Sequence, residues 1–360
     1  MPRTQVLVVG GALSGLSAAV FLAWHGVRCV VVEREPQLPP GTRRTLNPRT
    51  MELLRQIGLE YTIMRQCAAG PSTEASPCTA VSFAGVEAVL RDRAEALGVT
   101  MCFGTSLRSF SQGADGVTAT VVDGDGDYEI HADYLVAADG PDSGTRVALG
   151  LAAGDRTCRA GKVFLVGKSA NTMPHDDGNI FLQDAQNLAW KLAAVVKGLA
   201  GPTLVDTYQT ERHPDTVPPK APAEAMVLGY RYSSDAVVDP GDNTPLLAHQ
   251  LRGQPGSRAP HVRVTFIGRP ISTLDLYGRD FVALIGSNGT WQHTTHGLPV
   301  QAYRFGTHLH SETDLEAAHG ITPDGALLVR PDGFVAWRSP GPVTDAAEAM
   351  AKTLRTILSR

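Results

Sequence analysis

The sequence predicts an α/β protein built from more than one domain. Three observations carry that expectation. The first stretch, residues 4–34, runs apolar strand, glycine-rich turn, small-residue helix, apolar strand, acid. Apolar strands and amphipathic helices then alternate as far as Lys197. After a turn-rich stretch at 233–260, strands and helices alternate again from Arg263 to a last helix at about Thr344–Leu358. A chain of 360 residues is long enough for two or three domains with a sizeable core.

The N-terminal stretch explains itself element by element. The apolar run Val6–Val9 enters Gly10-Gly11-Ala12-Leu13-Ser14-Gly15, a helix follows over Leu16–His25, and a second apolar run, Cys29–Val32, ends in Glu33-Arg34. This order is Rossmann-like and suits a dinucleotide. Gly10 allows the tight turn, and Gly15 lets the helix pack close on the strand. The helix N-terminus, with Gly11, Ala12 and Ser14 in its loop, offers N–H groups and a positive dipole to a pyrophosphate. Glu33 stands 18 positions beyond Gly15, about where an acid bonds a ribose hydroxyl. Ala12 takes the place of the middle glycine, so one methyl intrudes where backbone should approach phosphate. The plainer alternative is an α/β turn that keeps its glycines for packing and binds nothing. Residues 12–32 do not read as a membrane span, because Gly15, His25, Gly26 and Arg28 interrupt the run.

Composition narrows the class. Hydrophobic residues make up 43% and charged residues 19%, as in an ordinary soluble enzyme. A net charge of −4 gives no reason to expect nucleic acid or an anionic membrane as partner. The five cysteines are scattered without a C-x-x-C pair, which suggests reduced thiols and a cytoplasmic protein. The first strand begins at Val6, which leaves no basic leader with a cleavage site.

Farther on, a Pro/Gly-rich loop at 36–41 leads to Arg43-Arg44 and to a helix opened by Pro48 and ended by Gly58. Residues 67–79 read as a linker, and Val86–Leu97 as an amphipathic helix. Strands follow at Val99–Gly104, Ser106–Gln112, Gly116–Asp123 and Asp127–Ala132, with Asp123-Gly124-Asp125-Gly126 as a hairpin turn. A separate buried strand from Tyr134 ends in Asp139-Gly140, and the end of such a strand is where a nucleotide-binding sheet meets its ligand. Residues 152–161 are a polar break. Val163–Gly167 is a strand and Gln183–Lys197 a strong helix.

Three segments together carry a resemblance: VLVVGGALSGLSAAVFLAWHGVRCVVVER with NPRTMELLRQIGL; YLVAADGPDSGTRVALG; and GKVFLVGKSANTMP with LQDAQNLAWKLAAVVKG and DTYQTERHP. In order and content they resemble the FAD-dependent aromatic hydroxylases of the para-hydroxybenzoate and dichlorophenol hydroxylase type. The tail, with LGYRYSSDAVV, STLDLYGRDFVALIG and HGITPDGALLVRPDGFVAW, resembles the thioredoxin-like domain of phenol and polyketide hydroxylases. The resemblance implies residues 1–220 as an FAD-binding domain with residual substrate-domain strands, 221–262 as a connector and 263–360 as a thioredoxin-like domain. It implies Gly10 and Gly15 on the FAD pyrophosphate, Glu33 (with Arg34 beside it) on the adenosine ribose, and Arg43 or Arg44 toward the flavin. Asp139 and Gly140 match the Asp-Gly motif tied to FAD and NAD(P)H, with Arg146 in support. The chemistry implied is reduction of FAD by NAD(P)H and oxygen transfer to a phenolic or polyketide-like small molecule.

The chain also departs from that pattern. The second FAD motif of the family reads Gly-Asp, and here it is Gly167-Lys168, a cation in place of an acceptor. Lys168 reads either as a new anion contact or as a solvated lysine. Pro174 and Asn179 stand as remnants of the loop at the flavin edge, and Phe181 replaces a glycine. The gaps that hold the family's large antiparallel sheet are filled only by residues 67–79, 152–161 and 217–227, so a reduced substrate sheet is expected. These departures keep two other functions open: a redox-neutral cyclase or isomerase of natural-product biosynthesis, and a non-catalytic binding protein. No metal site is expected, since His175-Asp176-Asp177 and the histidines at 293, 296, 308 and 310 lack clear ligand spacing. The tail holds no cysteine, so it performs no thiol–disulfide exchange, and a structural role or a homo-oligomer contact is expected of it.

Overall fold

The computed structural model describes residues 3–37, 43–67, 79–152, 155–170, 178–214 and 221–360. The chain divides into two compact units, residues 1–198 with 212–215, and residues 199–211 with 216–360. This division falls elsewhere than the sequence reading put it. Residues 199–211 and the stretch read as a connector go with the C-terminal unit.

In the N-terminal unit the elements run β1 (Arg3–Val9), α1 (Leu13–Trp24), β2 (Cys29–Glu33), β3 (Arg43–Leu46), α2 (Pro48–Gln56), α3 (Glu60–Cys67), β4 (Thr79–Ser82), α4 (Phe83–Ala96) and β5 (Thr100–Phe103). They continue as β6 (Ser106–Gly113), β7 (Gly116–Asp123), β8 (Gly126–Ala137), α5 (Gly144–Ala148), β9 (Arg159–Ala160), β10 (Val163–Leu165) and α6 (Gly178–Val196). The central sheet has the order β5-β2-β1-β8-β10-β9, with β7 also on β8 and β6 on β7. Strands β5, β2, β1, β8 and β10 are parallel. The apolar runs of β1, β2, β10 and the second half of β8 are buried on both faces, as a parallel sheet requires, while β5 at the edge is only partly covered. The ends of β1, β2 and β8 therefore open on one edge, where α/β sheets bind ligands.

One expectation is corrected. The strands expected at Asp127–Ala132 and from Tyr134 are a single strand, β8. It pairs antiparallel with β7 over its whole first half (Thr118↔His131) and parallel with β1 over its second (Leu7↔Leu135). No glycine or proline interrupts it, and Asp133 at the changeover is held by Arg3 at 3.2 Å. Helix α6 begins five residues before the expected start, because Phe181 and Leu182 are already buried. Trp190 on it is core, as expected. Apart from the central sheet, the β3–β4 ribbon is the one sheet among the described residues of this unit.

The C-terminal unit includes most of α7 (Thr207–Arg212), then α8 (Ala223–Leu228), β11 (Arg263–Phe266), β12 (Arg269–Ser272), β13 (Phe281–Ile285), β14 (Val300–Arg304), β15 (Leu309–His310), α9 (Leu315–His319), β16 (Ala326–Val329), β17 (Val335–Ser339) and α10 (Ala346–Ile357). Its main sheet is β14-β13-β16-β17, with β13 and β14 parallel and the other pairs antiparallel. That is the thioredoxin-like order, although residues 289–298 run as turns where a helix would join the two parallel strands. Asp314 and Asp345 cap α9 and α10, each accepting a backbone N–H at 2.9 Å. The stretch read as a connector is packed in: Tyr232 and Val237 cluster with Phe334.

His319, at the end of α9, is buried against Phe305. Its Nδ1–H donates to Leu315 O at 2.7 Å, and Nε2 has no partner. Burial pushes the imidazole pKa down to about 4. The unfolded chain takes up this proton below about pH 6.5, the folded unit only near pH 4. The stability this neutral ring contributes is thus complete above pH 6.5 and is lost as the pH falls to 4, about 3 kcal/mol in all. Urea unfolding across that range should show this loss for the wild type relative to His319→Leu.

Candidate dinucleotide site

The loop between β1 and α1 is shaped by its glycines. Gly10 has φ +106°, and a Cβ there would overlap the Ala138 carbonyl. A Cβ at Gly15 would overlap the carbonyl of Gly10, so only glycine lets α1 pack this close to the turn. Ala12 is the N-cap of α1 at φ −83°, ψ −172°, an extended conformation open to any residue. The missing middle glycine therefore costs no backbone strain. The first intrahelical bond runs from Leu16 N to Ala12 O at 2.9 Å. The N–H groups of Leu13, Ser14 and Gly15 have no acceptor within the helix.

Two carboxylates reach backbone donors of this loop, one of them at the first turn of the helix. Glu33, buried at the end of β2, accepts the Gly11 N–H at 2.5 Å and the Glu35 N–H at 2.9 Å. Glu87 on α4 accepts the Leu13 N–H at 2.9 Å. Burial above all raises the Glu87 pKa, the Leu13 bond lowers it, and the charge of Glu33 raises it further. Sequence reasoning found Glu33 and missed Glu87, whose partner lies 74 positions away.

A cleft of about 550 Å³ opens on this loop. Gly10, Ala12, Glu33 and Arg34 line one side, Thr105–Phe110 another, and Asp139, Gly140 and Thr145 the floor of β8 and the start of α5. Arg34 is exposed and pairs with Glu35 at 3.6 Å. The segment Thr105–Phe110 carried no sequence signal beyond being a strand.

Other expected site residues turn out to be engaged with the chain itself. Asp139 accepts from Ser143 Oγ at 2.6 Å, from Thr145 N at 3.0 Å and from Ser169 Oγ at 3.0 Å. It fastens the end of β8 to α5 and to the turn at 167–169. Gly140 donates its N–H to Ser169 Oγ at 3.0 Å. Arg146 is buried and donates to the carbonyls of Ala152, Asp155 and Ser169. Gly167, at φ +61°, lies against Ser14, where a Cβ would overlap the Ser14 hydroxyl. Lys168, next to it, is half-buried. Asn179 accepts from Asn47 N at 2.8 Å and donates to Thr45 O at 2.9 Å, so it holds the end of β3 rather than opening to the cleft. The backbone of Arg43 and Arg44 pairs with Ser82 and Val81 in the β3–β4 ribbon. Their side chains, and Pro174 and the His175-Asp176-Asp177 run, lie outside the described residues. Among the described residues no three His, Cys, Asp or Glu side chains gather as a metal site, and His308 Nδ1 accepts the Arg304 N–H at 2.9 Å. Among them, too, no helix is long and apolar enough to cross a membrane.

Fold and cleft together define a flavin-nucleotide-binding protein. An FAD binding domain family matches residues 3–158 and 153–217, and the C-terminal domain of aromatic-ring hydroxylases matches 252–360. The chain belongs to the FAD-dependent aromatic-ring hydroxylases. It is 32% identical to a putative polyketide hydroxylase of Streptomyces halstedii over 538 aligned positions, spanning 99% of this chain and 97% of the relative. It is 31% identical to aklavinone 12-hydroxylase RdmE of Streptomyces purpurascens, with 99% of both chains spanned. A crystal structure of aklavinone-11 hydroxylase with FAD and aklavinone superimposes with a TM-score of 0.89 at 28% identity over the whole of both chains.

The residues present fit the ADP half of FAD: a loop that only glycine can form at Gly10 and Gly15, unpaired helix N–H groups, and an acid at the end of β2. The chain is also shorter than its relatives. An alignment of 538 positions against 360 residues leaves at least 178 positions with no counterpart in this chain. The FAD family is matched in two pieces that meet within residues 153–158, inside one of the three shortened gaps.

Proposed function

We propose that the protein is an FAD-dependent monooxygenase that uses NAD(P)H and O₂ to hydroxylate a phenolic or aromatic-polyketide substrate. The observation that carries this is the Gly10–Gly15 loop set against Glu33 in the cleft. When bound, FAD supplies electron transfer from NAD(P)H and oxygen activation for an electron-rich ring. The chain's own part is to hold it. Ser14 and Gly15 present backbone donors to the pyrophosphate, and Glu33, which holds the Gly11 N–H, faces the ribose. Asp139 and Arg146 keep the end of β8 and the 167–169 turn in place beside the loop. Arg34 and the Thr105–Phe110 wall enclose the adenosine end.

One observation favours a second reading. Lys168 puts a cation where the resemblance implies an acid toward the flavin side. A redox-neutral step on the same scaffold would follow. The two readings separate on one preparation. The expected result is a flavin spectrum with close to one FAD released per chain on denaturation, and NAD(P)H oxidation that rises with a phenolic substrate and yields an oxygenated product. A protein that takes up no flavin from excess FAD would sink the monooxygenase reading. Full flavin occupancy with turnover lacking O₂ and NAD(P)H would favour the redox-neutral one.

A further inference from the structure

Glu87 has no place in the proposed chemistry, yet its carboxylate sits on a phosphate-loop donor. Helix N-terminal N–H groups are the donors a pyrophosphate takes. Of the groups in this loop, Gly11 N–H is held by Glu33 and Leu13 N–H by Glu87. Two carboxylates thus stand where a dianion has to be received. Their situations differ. Glu33 also accepts from Glu35 N and lies at the end of β2, where a ribose is met. Glu87 makes a single hydrogen bond and is held by no cation among the described residues.

The charged groups around Glu87 are few. Helix α1 and strand β4 carry none. On α3 there are Glu60, ion-paired with Arg55 at 3.6 Å, and the exposed Arg65. Arg91 is one turn along α4, and Lys168 is on the turn against Ser14. Glu33 is the neighbour whose field acts on it, and that field opposes a charged Glu87 in the same direction as burial does.

We propose that Glu87 is a place-holder for the FAD pyrophosphate. Its carboxylate satisfies the Leu13 N–H in the free protein, has to be neutralised or turned away when FAD enters, and so sets the affinity for the cofactor. This rests on the FAD reading above. It turns a helix-end donor into a guarded one: an anion strong enough to displace a carboxylate is admitted, and the donor is never left bare.

The sign of the pH effect follows. A protonated Glu87 no longer repels the pyrophosphate, so FAD binds more tightly as the pH falls into the raised titration range of Glu87. At most one proton is linked to each FAD, which limits the slope to about tenfold per pH unit. The test is FAD titration of flavin-free full-length protein, read by flavin fluorescence between pH 5 and pH 9. Glu87→Gln keeps an acceptor for Leu13 and loses the charge, so it should bind FAD about tenfold more tightly at pH 8 and lose the pH slope. ADP, which has the pyrophosphate and no flavin, should show the same difference between the two proteins, and adenosine should show none. Wild-type affinity that is flat with pH, or a variant equal to or weaker than the wild type, overturns the proposal while FAD binding itself stands. Failure of both proteins to bind FAD or ADP overturns the cofactor reading and this inference with it.

Discussion

Gly15→Ala is expected to yield a protein that purifies without flavin and binds added FAD at least about 100-fold more weakly. The new methyl would overlap the Gly10 carbonyl and press on Ala138. Neither neighbour is a flexible side chain, so α1 has to move off β1. Moving it displaces the N–H groups of the first turn. A hydrogen bond to a charged group contributes about 1.5–3 kcal/mol, so two displaced donors account for the loss. Overpacking of this kind also costs roughly 1–3 kcal/mol of stability. Fluorescence titration with FAD alongside thermal unfolding checks both numbers. A variant that binds FAD as well as the wild type would mean that the loop does not grip the pyrophosphate.

Arg330→Met is expected to be the most damaging single change in the C-terminal unit. Arg330 is fully buried. It holds Glu211 through two bonds at 2.6 and 2.8 Å, and Asp332 through its Nε at 3.0 Å and through Nη2. Tyr232 and Phe334 lie over its guanidinium at 5.2 and 5.9 Å. Burial alone would lower its pKa; Asp332 and then Glu211 outweigh that and hold it well above the usual guanidinium value. Methionine fills much of the volume but removes the buried cation that Glu211 and Asp332 share, which costs about 3–5 kcal/mol. The pH dependence identifies the cause. Without Arg330 the negative charges of Glu211 and Asp332 are no longer offset by the cation between them, so the variant is expected to lose more stability where carboxylates are ionised than in acid. Urea unfolding of the two proteins at pH 5 and pH 8 should show the gap widen with pH. A gap of under 1 kcal/mol at pH 8 would rule out this account.

What the sequence made legible was local. Gly10, Gly15 and Glu33 lie within one strand–turn–helix–strand unit, and their roles follow from spacing. The elements Pro48–Gln56 and Ala346–Ile357 follow from a proline start and from an amphipathic period. What stayed hidden depends on partners far along the chain. Glu87 meets Leu13 across 74 positions and Arg330 meets Glu211 across 119, and nothing near either residue signals its partner. Asp139 and Asn179 show the converse. Both stand where a cofactor contact is expected, yet each spends its hydrogen bonds on the chain, a use that residue type and position alone do not reveal. The division of the chain was hidden for a similar reason. Residues 233–260 look like a tether because they lack periodicity, while Tyr232 and Val237 at that end are anchored on Phe334.

The two matched pieces of the FAD family meet at a seam that the sheet bridges by its own pairing. Strand β10 pairs directly with β8 (Val163↔Leu135), and Arg146 staples the short path between them by its bonds to Ala152 and Asp155. The nucleotide-binding sheet is therefore closed without anything inserted there. The entropy of closing a loop grows only with the logarithm of its length, by about 0.6 kcal/mol per doubling. An insertion at this point would therefore add little strain to the sheet. The path between β8 and β10 is thus a place where chain length can change while the strands that form the cleft keep their pairing.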